Sequence, residues 1–267
     1  MNIRVIGVIV IGVLVAGGLA YVLASWQAQE QRSVEKPVEQ IPQEEESMKD
    51  FEKVGNLVKD NPGLKSGVWY VVYEEPGAPV FAAELLFENE ICRDVREFVV
   101  CQNRAFQIGD RVRVQGSMQG QAVRVVDVSF AENVDTKNIR LFYYAQEQDT
   151  DEEGNIQCSR QGLAAVERQV AVTQTPVQDA VRLLLRGALT AEEKAQGIST
   201  EYPLAGFSLQ GVILSNGALT LEFEDAQNKT VGGSCRVGIL WFQIDETVKQ
   251  FDQVQTVRFI PEELFQP

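Results

Sequence analysis

The chain has 267 residues, a formal net charge of −14, four cysteines and no histidine. The charge argues against nucleic acid or anionic lipid as a main partner, because both are held by Lys- and Arg-rich surfaces. The missing histidine excludes Ser-His-Asp and Cys-His catalysis and histidine-ligated catalytic metals.

The first element expected is apolar on every face. Val5 to Ala24 carries no charged residue, matching the ~20 residues that cross a bilayer core as a helix. Arg4 before it and Trp26 after it suit a cytoplasmic N-terminus and an interfacial aromatic. Residues 1–25 are therefore read as a transmembrane or signal-anchor segment. Val22-Leu23-Ala24 also offers a peptidase-type ending, but a cleaved signal usually has an apolar core of only ~7–15 residues. Residues 26–62 follow as an acidic tether, with Glu44-Glu45-Glu46 at its centre and Pro37 and Pro42 nearby. So little apolar surface predicts disorder, with a coil reach of roughly 30–35 Å. Within it, Met48, Phe51, Val54, Leu57 and Val58 recur at helical spacing, which predicts a short amphipathic helix over 47–59 that caps the next domain.

Residues 63–134 read as a small all-β barrel. Five strands are predicted at Val68–Tyr73, Val80–Phe87, Phe98–Cys101, Arg111–Gln115 and Ala122–Phe130, from β-branched and aromatic runs bounded by turn residues. The alternation through 109–116 and 123–128 is similar to the later strands of OB-type barrels, a fold with many unrelated functions. Arg93, Arg96, Arg104, Arg111, Arg113 and Arg124 lie among acidic neighbours and are read as a solvated strand face rather than an oligonucleotide site.

Residues 138–267 read as a mixed α/β domain, which makes the whole chain α+β. Strands are predicted at Ile139–Tyr144 and Leu163–Val172, separated by the acidic loop 146–157. Thr175-Pro176 opens a helix that Gly187 ends. Thr190-Ala191-Glu192-Glu193 is a capping box opening a short helix that stops at Gly197. Ser208–Leu214 and Ala218–Glu224 form a hairpin around Asn216-Gly217, a pair suited to the two positive φ angles of a type I′ turn. A long helix over Ser234–Phe251 and a strand at Val257–Ile260 complete the chain.

This order of elements resembles a known family. Val166-Glu167-Arg168-Gln169-Val170, Ala180 to Gly187, Thr190 to Gly197, Thr200-Glu201-Tyr202-Pro203, the Asn216-Gly217 hairpin and Gly232-Gly233-Ser234-Cys235-Arg236 are similar to the GerMN domain of sporulation and spore germination proteins. Tyr202 stands where that family more often has an aliphatic residue, and Phe223-Glu224-Asp225 replaces an aliphatic-Asp-aliphatic phrase. The resemblance covers about 139–260 and implies a non-enzymatic, extracytoplasmic envelope module of poorly defined molecular role, tethered to the cytoplasmic membrane; the sequence does not name its partner and leaves envelope protein and peptidoglycan open.

Cys92 and Cys101 fall in one predicted domain and Cys158 and Cys235 in the other, which predicts two intradomain disulfides worth at most about 3 and 4.5 kcal/mol. Pairing across the domains is the alternative. A four-cysteine zinc site would need close C-x-x-C pairs, which the sequence lacks.

No Walker, Rossmann or Gly-x-Ser-x-Gly phrase appears, so no cofactor is expected. The enzymatic alternative is a cell-wall glycan hydrolase using Glu167 with Glu222 or Glu224, since glycoside cleavage needs only two carboxylates at the right separation. Gly232, Gly233 and Ser234, with Arg236, form a candidate anion site at the start of the long helix, to be weighed against an ordinary helix cap beside a disulfide. Trp241 and Phe242 are candidates for stacking on a sugar ring, but their apolar neighbours predict core packing.

Overall fold

The computed structural model describes residues 49–266 apart from 78 and 89. The apolar run 5–24 and the polar stretch up to 48 lie outside the described residues. Among the described residues no helix is long and apolar enough to cross a membrane.

The first strand, β1 (Lys49–Lys59), lies where a helix is expected. It pairs antiparallel with β2 (Trp69–Tyr73) on one side and with β7 (Arg111–Gln119) on the other. Its inward positions follow period two: Phe51 and Leu57 are buried, and Gly55 stands between them. Gly55 hides this alternation in the sequence because it has no side chain, and a Cβ there would overlap the Val72 carbonyl oxygen. The apolar residues Val54 and Val58, which complete the helical pattern, are only half-buried.

With β3 (Phe81–Leu86) and β8 (Ala122–Phe130), these strands close a five-stranded barrel in the order β1-β2-β3-β8-β7. The β3–β8 pairing is parallel and the other four are antiparallel. The barrel of the expected type is thus present with different membership: β1 is a stave, and Phe98–Cys101 is not.

Phe98–Cys101 is β5, set between β4 (Cys92–Val95) and β6 (Arg104–Gln107) in a six-stranded sheet of order β11-β9-β10-β6-β5-β4. Here β9 is Thr136–Ala145, β10 Leu163–Ala171 and β11 Ile198–Ser199. All four residues of β5 are buried, and they alternate between two cores. Phe98 and Val100, with Ala105 of β6, pack into the carboxy-terminal core, whereas Val99, Cys101 and Phe106 pack into the barrel core. A strand covered on both faces reads as a continuous apolar run rather than an alternating one. The two predicted domains consequently share a wall.

Helix α1 (Pro176–Leu184) presents Val177, Ala180, Val181, Leu183 and Leu184 to the carboxy-terminal core. Thr175 precedes it without a side-chain cap, and the Thr173 hydroxyl donates to Asp179 instead. Gly187 follows with φ 60°. Helix α2 (Ala191–Ala195) carries the expected capping box, with both reciprocal hydrogen bonds formed. Strands β12 (Phe207–Ser215), β13 (Ala218–Asp225) and β14 (Thr256–Ile260) make a three-stranded sheet in that order, and Asn216 and Gly217 have φ of 51° and 81° as the turn type requires.

Helix α3 (Ser234–Lys249) buries Val237, Leu240, Ile244 and Val248. It also satisfies the backbone of β9 along that strand's open side. Thr247 Oγ1 accepts from the Phe142 amide at 3.0 Å, and Gln250 just past the helix bonds both the amide and the carbonyl of Arg140 at 2.8 and 2.6 Å.

Where the barrel turn between β6 and β7 meets α1, Asp110 and Asp179 line a cavity of about 20 Å³, together with Lys137. Burial pushes the Asp110 carboxyl up to about 6, with Asp179 adding to the rise and the Gln107 amide opposing it. The folded chain therefore binds this proton more tightly than the unfolded chain. The resulting cost is absent below about pH 4, grows between about pH 4 and about pH 6, and is constant above that. Asp110→Asn should keep the acceptor for the Gln107 amide and abolish that cost. Urea titrations of both forms from pH 4.5 to 7.5 should show the variant gaining relative stability as pH rises. A constant difference would disprove the shift.

Candidate functional site

The anion site predicted at 232–236 lies on the rim of a groove of about 550 Å³. Gly233, the residue before α3, has no side-chain cap bond, and Ser234 is the first helical residue rather than a cap. Arg236 is already engaged: Nε and Nη2 contact Glu201 Oε2 at 2.8 and 2.6 Å, and Nη1 donates to the Val231 carbonyl at 2.6 Å. An anion at this helix start would have to displace Glu201, so the four residues do not form an open anion site.

Away from that ion pair the groove is lined by Tyr144, Ile156, Ile239 and Leu240, with Gln146, Ser199, Thr200 and the buried Gln243 as polar groups. The Thr200 hydroxyl and Gln243 Oε1 are 2.9 Å apart. A ligand here would find an apolar trough with few free polar groups.

One side of the groove is fixed by the disulfide Cys158–Cys235, with Cα atoms 5.1 Å apart. It ties the acidic loop to the first turn of α3. That loop is ordered from its base by Asp149, buried at 3% exposure, which accepts from the Ser159 hydroxyl and amide at 2.5 and 2.8 Å and from the Tyr144 hydroxyl at 2.7 Å. Burial pushes the Asp149 carboxyl up, but these hydrogen bonds outweigh it and hold the group below its ordinary value. The loop acids have inward-looking structural work as well: Asp151 accepts from the amides of Glu153 and Asn155 at 3.0 and 2.8 Å.

The other disulfide, Cys92–Cys101, joins directly opposed residues of β4 and β5 and lies wholly inside the barrel core. Both intradomain pairings expected from the cysteine distribution are therefore present. Among the described residues no cluster of three or more acids or cysteines is arranged to hold a metal ion.

The candidate carboxylates lie on different sheets. Glu167 is exposed on β10 in the six-stranded sheet, whereas Glu222 and Glu224 are exposed on β13 in the other sheet. Glu224 accepts from Gln210 at 2.9 Å. Of the six arginines, Arg104 pairs with Asp127, Arg113 with Glu52 and Glu132, and Arg124 with Glu88, while Arg93 donates to the Leu189 carbonyl.

Trp241 departs from the core packing expected of it. It is 37% exposed on α3, beside a second cleft of about 420 Å³ that Phe259 and Phe265 also line. The Arg160 guanidinium lies 5.5 Å from the Trp241 ring and 4.5 Å from Phe242 while pairing with Asp245 and Glu246. The apolar neighbours that suggested burial are real, but α3 buries only the face that carries Leu240, Ile244 and Val248. Tyr202 shows why an aromatic replaces an aliphatic residue: its ring is buried and its hydroxyl donates to the Leu240 carbonyl at 2.9 Å.

A helix-backed pair of sheets, braced by a disulfide at the helix start and bearing two open clefts, defines the class: an α+β module. Residues 141–262 match the family model Germane, described as sporulation and spore germination, so the carboxy-terminal half carries a domain of the GerMN type. Among solved structures, one similar chain is the tandem GerMN domains of the sporulation protein GerM from Bacillus subtilis, at 15% identity and a TM-score of 0.33, covering 55% of this chain. The alignment spans 48% of that protein. No curated protein matches.

Proposed function

We propose that this chain is a membrane-tethered, extracytoplasmic envelope protein whose folded body acts as a non-enzymatic binding or scaffold module. The observation that carries this reading is the shared wall. Strands β5 and β6 contribute side chains to both cores, so barrel and GerMN-type domain present their surfaces as one body, as a scaffold must. The apolar run 5–24 supports the tether, and the two disulfides fit an oxidising compartment. Placement of Glu167 on one sheet and of Glu222 and Glu224 on the other supports a binding role over a glycosidase, while the groove beside α3 offers a surface for an envelope protein or peptidoglycan. Nucleic acid is not a partner in this reading.

The test uses the full chain in detergent, challenged with purified sacculi and with solubilised envelope proteins. Specific retention by either, without glycan turnover, is the expected result. Hydrolysis of the sacculi that disappears in Glu167→Gln or Glu222→Gln would make the protein an enzyme and end this reading.

A further inference from the structure

A sheet edge presents unpaired backbone groups that recruit another strand, and proteins usually blunt such edges by shortness, charge, proline or a covering element. Among the described residues, the borders of the sheets are mostly blunted. The barrel is closed. At the borders of the six-stranded sheet, β11 has two residues, and β4 has four, including Arg93 and Asp94. The open side of β9 is covered by Thr247 and Gln250. In the smaller sheet, β14 carries Arg258 and ends at Pro261.

Strand β12 is the exception. Its nine residues, FSLQGVILS, contain no charge and no proline in a chain of net charge −14. It pairs with β13 on one side, and among the described residues no strand pairs with the other. Ile213 is 64% and Leu214 39% exposed. Val212 and Leu214, on the face whose β13 partners Leu221 and Leu219 are buried, line a cleft of about 210 Å³ against the start of α1. Gln174, Thr175, Pro176, Val177, Gln178 and Gln253 complete its lining, again without a charge.

We propose that a second copy of this chain pairs with β12 as an antiparallel strand, in a twofold register centred on Ile213. This register sets Ile213 against the partner's Ile213 on the outer face and Val212 against the partner's Leu214 on the inner face. Each copy's half-exposed Leu214 is thereby covered, and the two small sheets become one continuous six-stranded sheet. An isologous contact of this kind satisfies both edges at once. Charge selects the occupant: two strongly acidic molecules approach with least repulsion along an uncharged strand beside an uncharged cleft. The nearest acid on the neighbouring strand, Glu222, sits opposite Gly211 and faces the partner's Ser215. This contact is independent of the proposed tether and of any envelope partner.

Sedimentation of the full chain in detergent tests it. The wild type should be dimeric at tens of micromolar. Ile213→Lys and Ile213→Glu, each placing like charges face to face, should weaken association by about tenfold or more, with circular dichroism unchanged because the position is exposed. Mixing the two variants one to one should restore the dimer, and amides 208–215 of the wild type should gain hydrogen-exchange protection with concentration. A monomeric wild type, a dimer that both substitutions leave intact, a mixture that stays monomeric, or a β12 protected only by a different protein would each overturn the proposal.

Discussion

Glu193→Ala is expected to cost about 3–5 kcal/mol of folding stability, one of the two largest single-residue losses anticipated in this chain. Glu193 accepts from Arg168 Nη1 and Nη2 at 2.7 and 2.8 Å and from the Thr190 amide at 2.7 Å. Arg168 is fully buried on β10 and has two further acceptors, the carbonyls of Glu167 and Ala188. Removing the carboxylate strands a desolvated guanidinium, which is far more costly than losing a cap. Thr190→Ala, which removes only the capping hydroxyl, should cost about 1 kcal/mol. Arg168→Met should fall between them, because it removes the buried charge, and with it a buried Nε that has no partner, while Glu193 keeps its bond to the Thr190 amide. Chemical denaturation of the three variants orders the losses. If Glu193→Ala proves no worse than Thr190→Ala, the ion pair contributes nothing.

The capping half of that arrangement is legible in the sequence, since Thr190 and Glu193 are three residues apart. Its other half is not. Arg168 is 25 residues away, and nothing local distinguishes a buried arginine from the solvated ones around it. Similar reasons govern the rest of the fold. Long periodic elements such as β7, β8, β10 and α3 declare themselves through their side chains, and the Asn216-Gly217 turn through its backbone demands. Strand β1 is masked by Gly55, whose inward position is fixed by a neighbouring carbonyl rather than by hydrophobicity. The four-residue strands β4 and β6 are too short to carry a period.

The candidate site shows the same division. Segregation of the cysteines predicts both disulfides, because each pair is confined to one run of predicted strands and helices. The partnership of Arg236 with Glu201 joins residues 35 apart and turns an expected anion site into a closed rim. The open clefts depend on which face of α3 meets the sheets. No count of apolar neighbours around Trp241 determines that.

Phe106→Ala should reveal whether the shared wall couples the barrel to the GerMN-type domain. Phe106 is fully buried on the barrel side of β6, its ring centroid 4.5 Å from that of Phe130, so truncation should cost about 3–5 kcal/mol. Its neighbour Ala105 faces the other core, and the next strand across, β5, carries Val99 and Cys101 toward the barrel and Phe98 and Val100 away from it. Losing the barrel core therefore removes support from Phe98 and Val100 as well. Hydrogen exchange should accelerate in β9 and β10 along with the barrel strands, and calorimetry should show one transition at a lower temperature. Independent domains would respond differently: the barrel amides would lose protection while those of β9 and β10 kept theirs. The contrasting variant is Val181→Ala in α1, buried in the carboxy-terminal core alone. Coupling through β5 and β6 requires that it, too, lower protection in β7 and β8, although it touches neither strand's core.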